Sequence, residues 1–213
     1  MRTRVPNLNS ESEDLINFAI IGFGAVGQAL ARAFARKSIP VTVAARRAPE
    51  ALAPQAKAIG PTVTASCLHD ALKAQIVILA VPFGLHNELA KAADWHDKIV
   101  IDATNAYGIS PDEVGGRPAS VVNAQALVGS RLVKAFNHLP ARTLAQDPDV
   151  RGGRRVTFLS SDDDDAASQT AALVEQLGFA PINLGRLAEG GLLIQACGST
   201  WAPLIFQDLV KFD

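Results

Sequence analysis

The sequence has 213 residues, of which 48% are hydrophobic, and its formal net charge at pH 7 is −1. A chain of this length can bury a full core, and a balanced charge indicates neither a nucleic-acid surface nor an acidic tail. Two cysteines far apart in sequence, Cys67 and Cys197, do not suggest a disulfide framework. We expect a flexible leader over residues 1–15, which are polar and without pattern, and one domain over 16–213. No signal-peptide core or membrane-length apolar run is evident, so we expect a cytoplasmic protein without membrane or nucleic-acid partners.

The most informative stretch, residues 18–30, has the pattern of a buried strand, a glycine turn and the start of a helix. Its glycines have the spacing G-x-G-x-x-G at Gly22, Gly24 and Gly27. In a dinucleotide site the first glycine allows the tight turn, the second lets the backbone approach the pyrophosphate, and the third lets the helix lie close to the strand. The free N–H groups of the helix then face the phosphates. The sequence therefore predicts that a dinucleotide binds along Gly22, Phe23, Gly24, Ala25, Val26 and Gly27.

The second predicted strand, residues 39–45, ends in a pair of arginines, Arg46 and Arg47. About twenty residues after the glycine turn, an NAD enzyme usually carries an Asp or Glu that holds the adenine-ribose hydroxyls. A guanidinium at this place instead binds a 2′-phosphate through charge-assisted, bidentate hydrogen bonds. We therefore predict NADP rather than NAD as the cofactor, with contacts at Ala45, Arg46 and Arg47.

Two later apolar runs, residues 75–82 and 98–103, are typical of parallel strands that are buried on both faces. In open α/β sheets, ligands collect at the carboxyl ends of such strands. The residues at these two ends should therefore face the same crevice as the glycine turn. The further candidate cofactor contacts are Ala80, Val81, Pro82, Thr104 and Asn105.

The remaining patterns continue the alternation of strands and helices. Further strands are predicted at 61–65, 131–136, 155–159 and 179–184, and helices at 66–74, 84–95 and from near 120. We expect Ser66 to cap the first of these helices. We expect the acidic run Asp162–Asp165 to cap a helix rather than to bind a metal. The sequence predicts an α/β fold, a Rossmann-type doubly wound, mostly parallel sheet with a short C-terminal helical extension.

Few residues suggest acid–base chemistry. The histidines show no metal-ligand spacing, and the chain has no G-x-S-x-G elbow of a serine hydrolase. Among crevice candidates, Tyr107 and His138 are the possible proton donors, and neither belongs to a recognisable dyad, so no catalytic residue is assigned. The pattern is consistent with hydride transfer between two cofactors, in which the protein has mainly to hold two rings in contact and exclude water.

These residues together resemble the coenzyme F420-dependent NADP oxidoreductase family, from about residue 17 to near the C-terminus. The motifs that carry the resemblance are residues 21–27, 44–47, 80–84, 102–105, 133–137, 177–187 and 190–195. The resemblance implies an NADP-binding homodimer with cofactor contacts at the glycine turn, Arg46, Val81-Pro82 and Thr104-Asn105. The family usually has a serine where this chain has Ala45, so we expect Arg47 to share the binding of the 2′-phosphate. By their placement, the candidate residues for the second substrate are His138, Leu139, Pro140 and Cys197.

The sequence thus predicts an NADP-dependent oxidoreductase that transfers hydride between NADP(H) and F420 or a flavin-like acceptor. Two alternatives stay open. One is an NADPH-dependent reductase of a small imine or carbonyl, which is disfavoured because such enzymes often carry a large helical domain after the Rossmann unit. The other is a non-catalytic NADP sensor. The acceptor and the physiological direction are not determined by the sequence.

Overall fold

Strands that alternate with helices build a central sheet. The computed structural model describes residues 16–110, 112–196 and 209–212. The predicted leader over 1–15 and the candidate residue Cys197 lie outside the described residues. The strands are β1 (Phe18–Ile21), β2 (Val41–Ala44), β3 (Val63–Ala65), β4 (Ile76–Leu79), β5 (Ile99–Asp102), β6 (Arg131–Ala135), β7 (Asp149–Val150), β8 (Gly153–Ser161), β9 (Ala180–Asn183) and β10 (Val210–Lys211). The helices are α1 (Ala25–Arg36), α2 (Pro49–Ile59), α3 (Leu68–Ala71), α4 (His86–Ala90), α5 (Ala119–Ala126), α6 (Ala141–Leu144), α7 (Asp164–Gln176) and α8 (Gly190–Leu193).

The strand order is β10-β8-β6-β5-β4-β1-β2-β3, and β7 and β9 also pair with β8. The strands from β3 across to β6 are all parallel, whereas β8 pairs with β6 in the antiparallel direction. The chain leaves β1 towards β2 and β3 and then returns to the other side of β1 at β4. The crevice outside the carboxyl ends of β1 and β4 is therefore the topological switch point, where open α/β sheets bind their ligands.

Side chains of the central strands alternate between two buried clusters on opposite faces of the sheet. On one face Ile20 and Ile78 pack with Leu30 and Phe34 of α1. On the other face Ile21, Val77 and Leu79 belong to a cluster that includes Trp95 and Leu127. Because both faces are covered, these strands are apolar on both sides, as their continuous apolar runs indicate. The predicted doubly wound α/β fold is confirmed.

The amino end of α7 also follows the sequence prediction. The Asp163 side chain accepts a hydrogen bond from the Ala166 backbone N–H at 2.7 Å and thereby caps the helix. It also pairs with Arg131, whose Nε and Nη2 atoms both lie 2.9 Å from its carboxylate oxygens. The guanidinium and the cap hold the pKa of the Asp163 carboxyl well below its usual range. The acidic run therefore serves the helix, as predicted.

The structure corrects several predicted boundaries. The sequence analysis assigned no element between β2 and β3, yet α2 occupies residues 49–59, with Pro54 inside it and only Leu52 and Ala56 buried. Because proline normally interrupts a helix, Pro54 concealed the helical pattern in the sequence. The predicted cap by Ser66 is wrong, because α3 begins two residues later with Cys67 at its N-cap and no side-chain capping bond. The predicted helix over 84–95 is a 3-10 turn (Phe83–Leu85) followed by the short α4. The short strands β7 and β10 were also missed.

Candidate functional site

A cavity of about 620 Å³ lies at the switch point, beyond the carboxyl ends of β1, β2 and β4. Most of its lining comes from the loops that follow these three strands. The lining residues are Ile21, Gly22, Phe23, Gly24, Ala45, Arg46, Arg47, Leu68, Ala80, Val81, Pro82, Leu85, Glu88 and Leu89. The structure therefore brings together three groups that the sequence analysis placed at a cofactor site: the glycine turn, the arginine pair and the end of β4.

Two of the three motif glycines are required by the protein's own packing. Gly22 has φ +102°, and a Cβ atom there would lie 2.2 Å from the Ala80 carbonyl oxygen. A Cβ atom at Gly27 would lie 1.9 Å from the Gly22 carbonyl oxygen. The first glycine thus allows β1 to turn beside β4, and the third lets α1 pack against that turn. Ala25 and Val26 complete the first turn of α1, and Val26 packs against the core.

Gly24 differs from the other two glycines, because the packing does not require it. Its φ is −81°, and a Cβ atom there would meet nothing within 4 Å. The side chain of Gln28 donates to the Phe23 carbonyl oxygen at 3.1 Å, which fixes the turn. The N-terminus of α1 has no side-chain cap. The space beside Gly24 and the uncapped helix end fit a dinucleotide pyrophosphate, which binds to backbone N–H groups at such an end.

The two arginines extend from the loop after β2, and both are exposed. The Arg47 guanidinium donates to the Gln55 side-chain oxygen at 3.5 Å, which links it to α2. Arg46 makes no hydrogen bond or ion pair with any residue that the structure describes. It is therefore a cation in the cavity wall whose donors are available to an anionic ligand, as recognition of a 2′-phosphate requires. These arginines, the glycine turn and Val81-Pro82 are the residues that would hold NADP.

Thr104 and Asn105 follow β5, next to the cavity but outside its lining. Beneath them lies a buried ion pair in which Lys134 Nζ is 3.1 Å from the Asp102 carboxylate, with exposed fractions of 1% and 0%. Lys134 also donates to the Thr104 carbonyl oxygen. Asp102 accepts from the Thr104 N–H at 2.9 Å and from the Asn123 side chain at 3.0 Å. Burial lowers the pKa of Lys134, and the adjacent carboxylate opposes that shift.

The side chain of Asn105 is occupied by protein partners. It donates to the Asn137 carbonyl oxygen at 2.8 Å and accepts from the Asn137 amide at 3.0 Å. The Asn137 amide also donates to the Ile194 carbonyl oxygen at 2.7 Å. The Gln195 side chain accepts from the Ala119 N–H at 2.7 Å. These bonds fasten the segment after α8 to the carboxyl ends of β5 and β6. If Asn105 contacts the cofactor, its main chain and the second N–H of its amide are the parts without a partner among the described residues.

The candidate residues for the second substrate lie apart from the cavity lining. His138 is 5% exposed and its ring lies 5.2 Å from that of Phe158, between centroids. Burial lowers the pKa of His138 to about 4, although the Val156 backbone partly opposes this shift. Leu139 is buried and the half-buried Pro140 is the N-cap residue of α6. Tyr107, the other donor considered from sequence, is 68% exposed.

Besides Ile21 at the end of β1, four residues in the cavity wall were not among the predicted site residues. They are Leu68, Leu85, Glu88 and Leu89, from α3, the 3-10 turn and α4. Their only sequence signal is position, because they belong to the elements that follow β3 and β4, the strands on either side of β1 and β2.

No group of three or more His, Cys, Asp or Glu residues in the described part of the chain could hold a metal ion. No helix among the described residues is long and apolar enough to cross a membrane.

The fold and the cavity define a Rossmann-type, dinucleotide-binding protein, and comparisons with known proteins agree with that class. Residues 17–106 match the family model of NADP oxidoreductases that depend on coenzyme F420. A hypothetical protein from Sinorhizobium meliloti, SMa0349, has a crystal structure that is 41% identical in sequence, with a TM-score of 0.85. The match covers 94% of this chain and 98% of that one.

Two further solved structures are similar to the chain at lower sequence identity. A candidate F420-dependent NADP reductase from Arthrobacter sp. FB24 is 25% identical over 84% of this chain and 90% of its own, with a TM-score of 0.68. A reductive aminase from Aspergillus terreus, solved with NADPH and ethyl-5-oxohexanoate, is 18% identical over 82% of this chain and 56% of its own. Its TM-score is 0.58, and this likeness concerns the fold alone. No curated protein matches the chain.

Over residues 17–106 the chain is similar to the coenzyme F420-dependent NADP oxidoreductase family. It is accordingly an NADP-dependent oxidoreductase.

Proposed function

We propose that the protein transfers hydride between NADP(H) and a deazaflavin of the F420 type, or a related flavin. The observation that carries this proposal is the switch-point cavity, which combines the open space at Gly24 with the guanidinium of Arg46, for which the described part of the chain offers no partner. The likeness to the candidate F420-dependent reductase from Arthrobacter supports the choice of acceptor.

The groups beside the strand ends support a hydride transfer between two rings. His138 is buried and, with a pKa of about 4, neutral at physiological pH. Lys134 and Asp102 are buried and bound to each other. None of these three side chains is placed to deliver a proton to a substrate oxygen or nitrogen, which reduction of a carbonyl or imine requires. Hydride transfer to C5 of a deazaflavin, or to N5 of a flavin, instead leaves the accompanying ring proton to be taken from solvent.

In this function the chain's residues bind and orient. Bound NADPH supplies the hydride, which a flavin-like ring accepts. The glycine turn and Arg46 hold the phosphates, and the walls at Val81 and Pro82 direct the dinucleotide along the crevice. The hydrogen-bonded layer of Asp102, Asn105 and Asn137 gives the nicotinamide end a fixed border. A fixed border matters because hydride transfer requires the two rings to be held at contact distance while water is excluded.

The experiment that tests the proposal follows oxidation of NADPH at about 340 nm, where the reduced nicotinamide ring absorbs. The acceptors are F420, FMN and FAD, each compared with buffer alone. Turnover with F420 but not with the flavins would identify F420 as the acceptor, and turnover with FMN or FAD would identify a flavin as the acceptor. If NADPH binds tightly and no acceptor is reduced, the proposal is refuted and the sensor alternative gains support.

We further propose that the protein is a homodimer, which its family resemblance implies. Light scattering of the purified chain tests this, with a mass near 22.4 kDa contradicting it.

A further inference from the structure

One end of the cavity combines an apolar wall with a single carboxylate. Leu68 comes from α3, Leu85 from the 3-10 turn after β4, and Leu89 from α4. Glu88 also lines the cavity and lies on α4 beside Leu89. Among the described residues it is the only acidic one in the wall, and its carboxylate makes no hydrogen bond or ion pair with any of them. A leucine-lined wall with one free acceptor suits a flat, apolar ring that carries a hydrogen-bond donor.

The position of this end relates it to one part of NADP. In the proposed function the glycine turn would take the pyrophosphate and Arg46 the 2′-phosphate. The adenine is attached to the same ribose as the 2′-phosphate, so the base must lie close to Arg46. The leucines of the same cavity wall offer an apolar surface for it. The flat faces of adenine then pack on the leucines, and its exocyclic 6-amino group needs an acceptor.

We propose that Glu88 accepts a hydrogen bond from the 6-amino group of the adenine and thereby selects adenine over 6-oxo purines. This inference rests on NADP binding in the cavity, and it is independent of which acceptor receives the hydride. An ionised carboxylate has only acceptors to offer. A 6-oxo group in place of the amine would set two acceptors against each other, and the carboxylate would have to move from position 6 to reach the N1–H of such a ring; this mismatch is the source of the selectivity.

The test compares two dinucleotides by fluorescence titration of the reduced nicotinamide ring. One is NADPH and the other is its analogue in which hypoxanthine replaces adenine. We expect the wild-type protein to bind NADPH roughly tenfold or more tightly than the hypoxanthine analogue, since one matched hydrogen bond to a charged group accounts for a factor of this size. In Glu88→Gln the ratio should fall to about threefold or less, because a glutamine amide can turn to donate to the 6-oxo group or to accept from the amine.

The matched control is Glu175→Gln, which removes the same charge from an exposed residue of α7 outside the cavity and should keep the wild-type ratio. A ratio in Glu88→Gln equal to that of the wild type would overturn the proposal. So would an equal gain or loss for both dinucleotides, since Glu88 would then act through its charge on the phosphates. Because the titration needs no acceptor, the result is separate from the outcome of the turnover assay.

Discussion

Gly24→Ala is expected to weaken cofactor binding without unfolding the protein. The new Cβ atom meets no protein atom within 4 Å, and the backbone φ of −81° suits any residue. An alanine at an N-cap costs about 0.5–1 kcal/mol relative to glycine, and the reduced freedom of the unfolded chain offsets roughly 0.4–1 kcal/mol. The net change in the free energy of unfolding should therefore stay within about 1 kcal/mol, or a few degrees in Tm.

The same methyl group occupies the space that the pyrophosphate needs. Loss of one charge-assisted hydrogen bond costs about 1.5 kcal/mol or more, so the Kd for NADPH should rise at least tenfold, and further in Gly24→Val. The assay is a fluorescence titration with NADPH, paired with a thermal melt of the same sample. An unchanged Kd in a folded Gly24→Ala protein would refute the assignment of this turn to the cofactor.

Gly22→Ala and Gly27→Ala are the matched comparisons. Their Cβ atoms would lie 2.2 Å and 1.9 Å from backbone carbonyl oxygens, so the backbone must move. Overpacking of this kind typically costs about 1–3 kcal/mol, and the φ of +102° at Gly22 adds strain. We therefore expect these two variants to lower Tm clearly, whereas Gly24→Ala does not. If all three destabilise equally, the distinction between packing glycines and a ligand glycine fails.

Three further predictions concern charge. Arg46→Asp should raise the Kd for NADPH more than tenfold and change the Kd for NADH little. A charge-assisted hydrogen bond to the 2′-phosphate is worth about 1.4 kcal/mol or more, which is a factor of ten in Kd. Equal losses of affinity for both cofactors in parallel titrations would contradict this. Lowering the pH from about 6.5 to 4 should reduce the free energy of unfolding by up to about 3 kcal/mol, because in this range His138 gains a proton only in the unfolded chain. Urea titrations at several pH values should therefore show a flatter dependence of the free energy of unfolding on pH in His138→Gln than in the wild type. Asp163→Ala should lower the free energy of unfolding by about 1–2 kcal/mol, because it removes the cap of α7, whereas Asp163→Asn should keep most of the cap. Equal melting temperatures for Asp163→Ala and the wild type would count against this role of Asp163.

The sequence predicted those parts of the fold that depend on local pattern. The strand, glycine turn and helix at residues 18–36 follow from apolar spacing and glycine geometry, which few other structures satisfy. The buried strands β4 and β5 follow from continuous apolar runs. Helix α2 does not, because Pro54 interrupts its pattern and only two of its residues are buried. Where little apolar surface is covered, periodicity carries little information.

The cavity lining could be predicted from the sequence where it comes from chain segments at strand ends, and it was missed where it depends on packing. The arginine pair could be located because the distance from the glycine turn to the end of β2 is nearly constant in this fold. Glu88 could not, because its entry into the cavity depends on how α4 packs across the strand ends. Lys134 was equally hidden, since nothing in its sequence neighbourhood shows that its ammonium group meets Asp102 from the next strand.

The two halves of the proposed site are constructed differently, and this difference bears on function. At the adenosine half, Arg46 and Glu88 are polar groups without partners among the described residues, placed around open space. Next to the nicotinamide half, Asp102, Lys134 and Asn105 bond to other groups of the protein. Polar groups without protein partners select a ligand by their charge and hydrogen bonds, whereas groups bonded within the protein fix a surface in place. We therefore expect substitutions at the adenosine half to change cofactor affinity, and those at Asp102, Lys134 and Asn105 to change the rate of transfer at saturating NADPH.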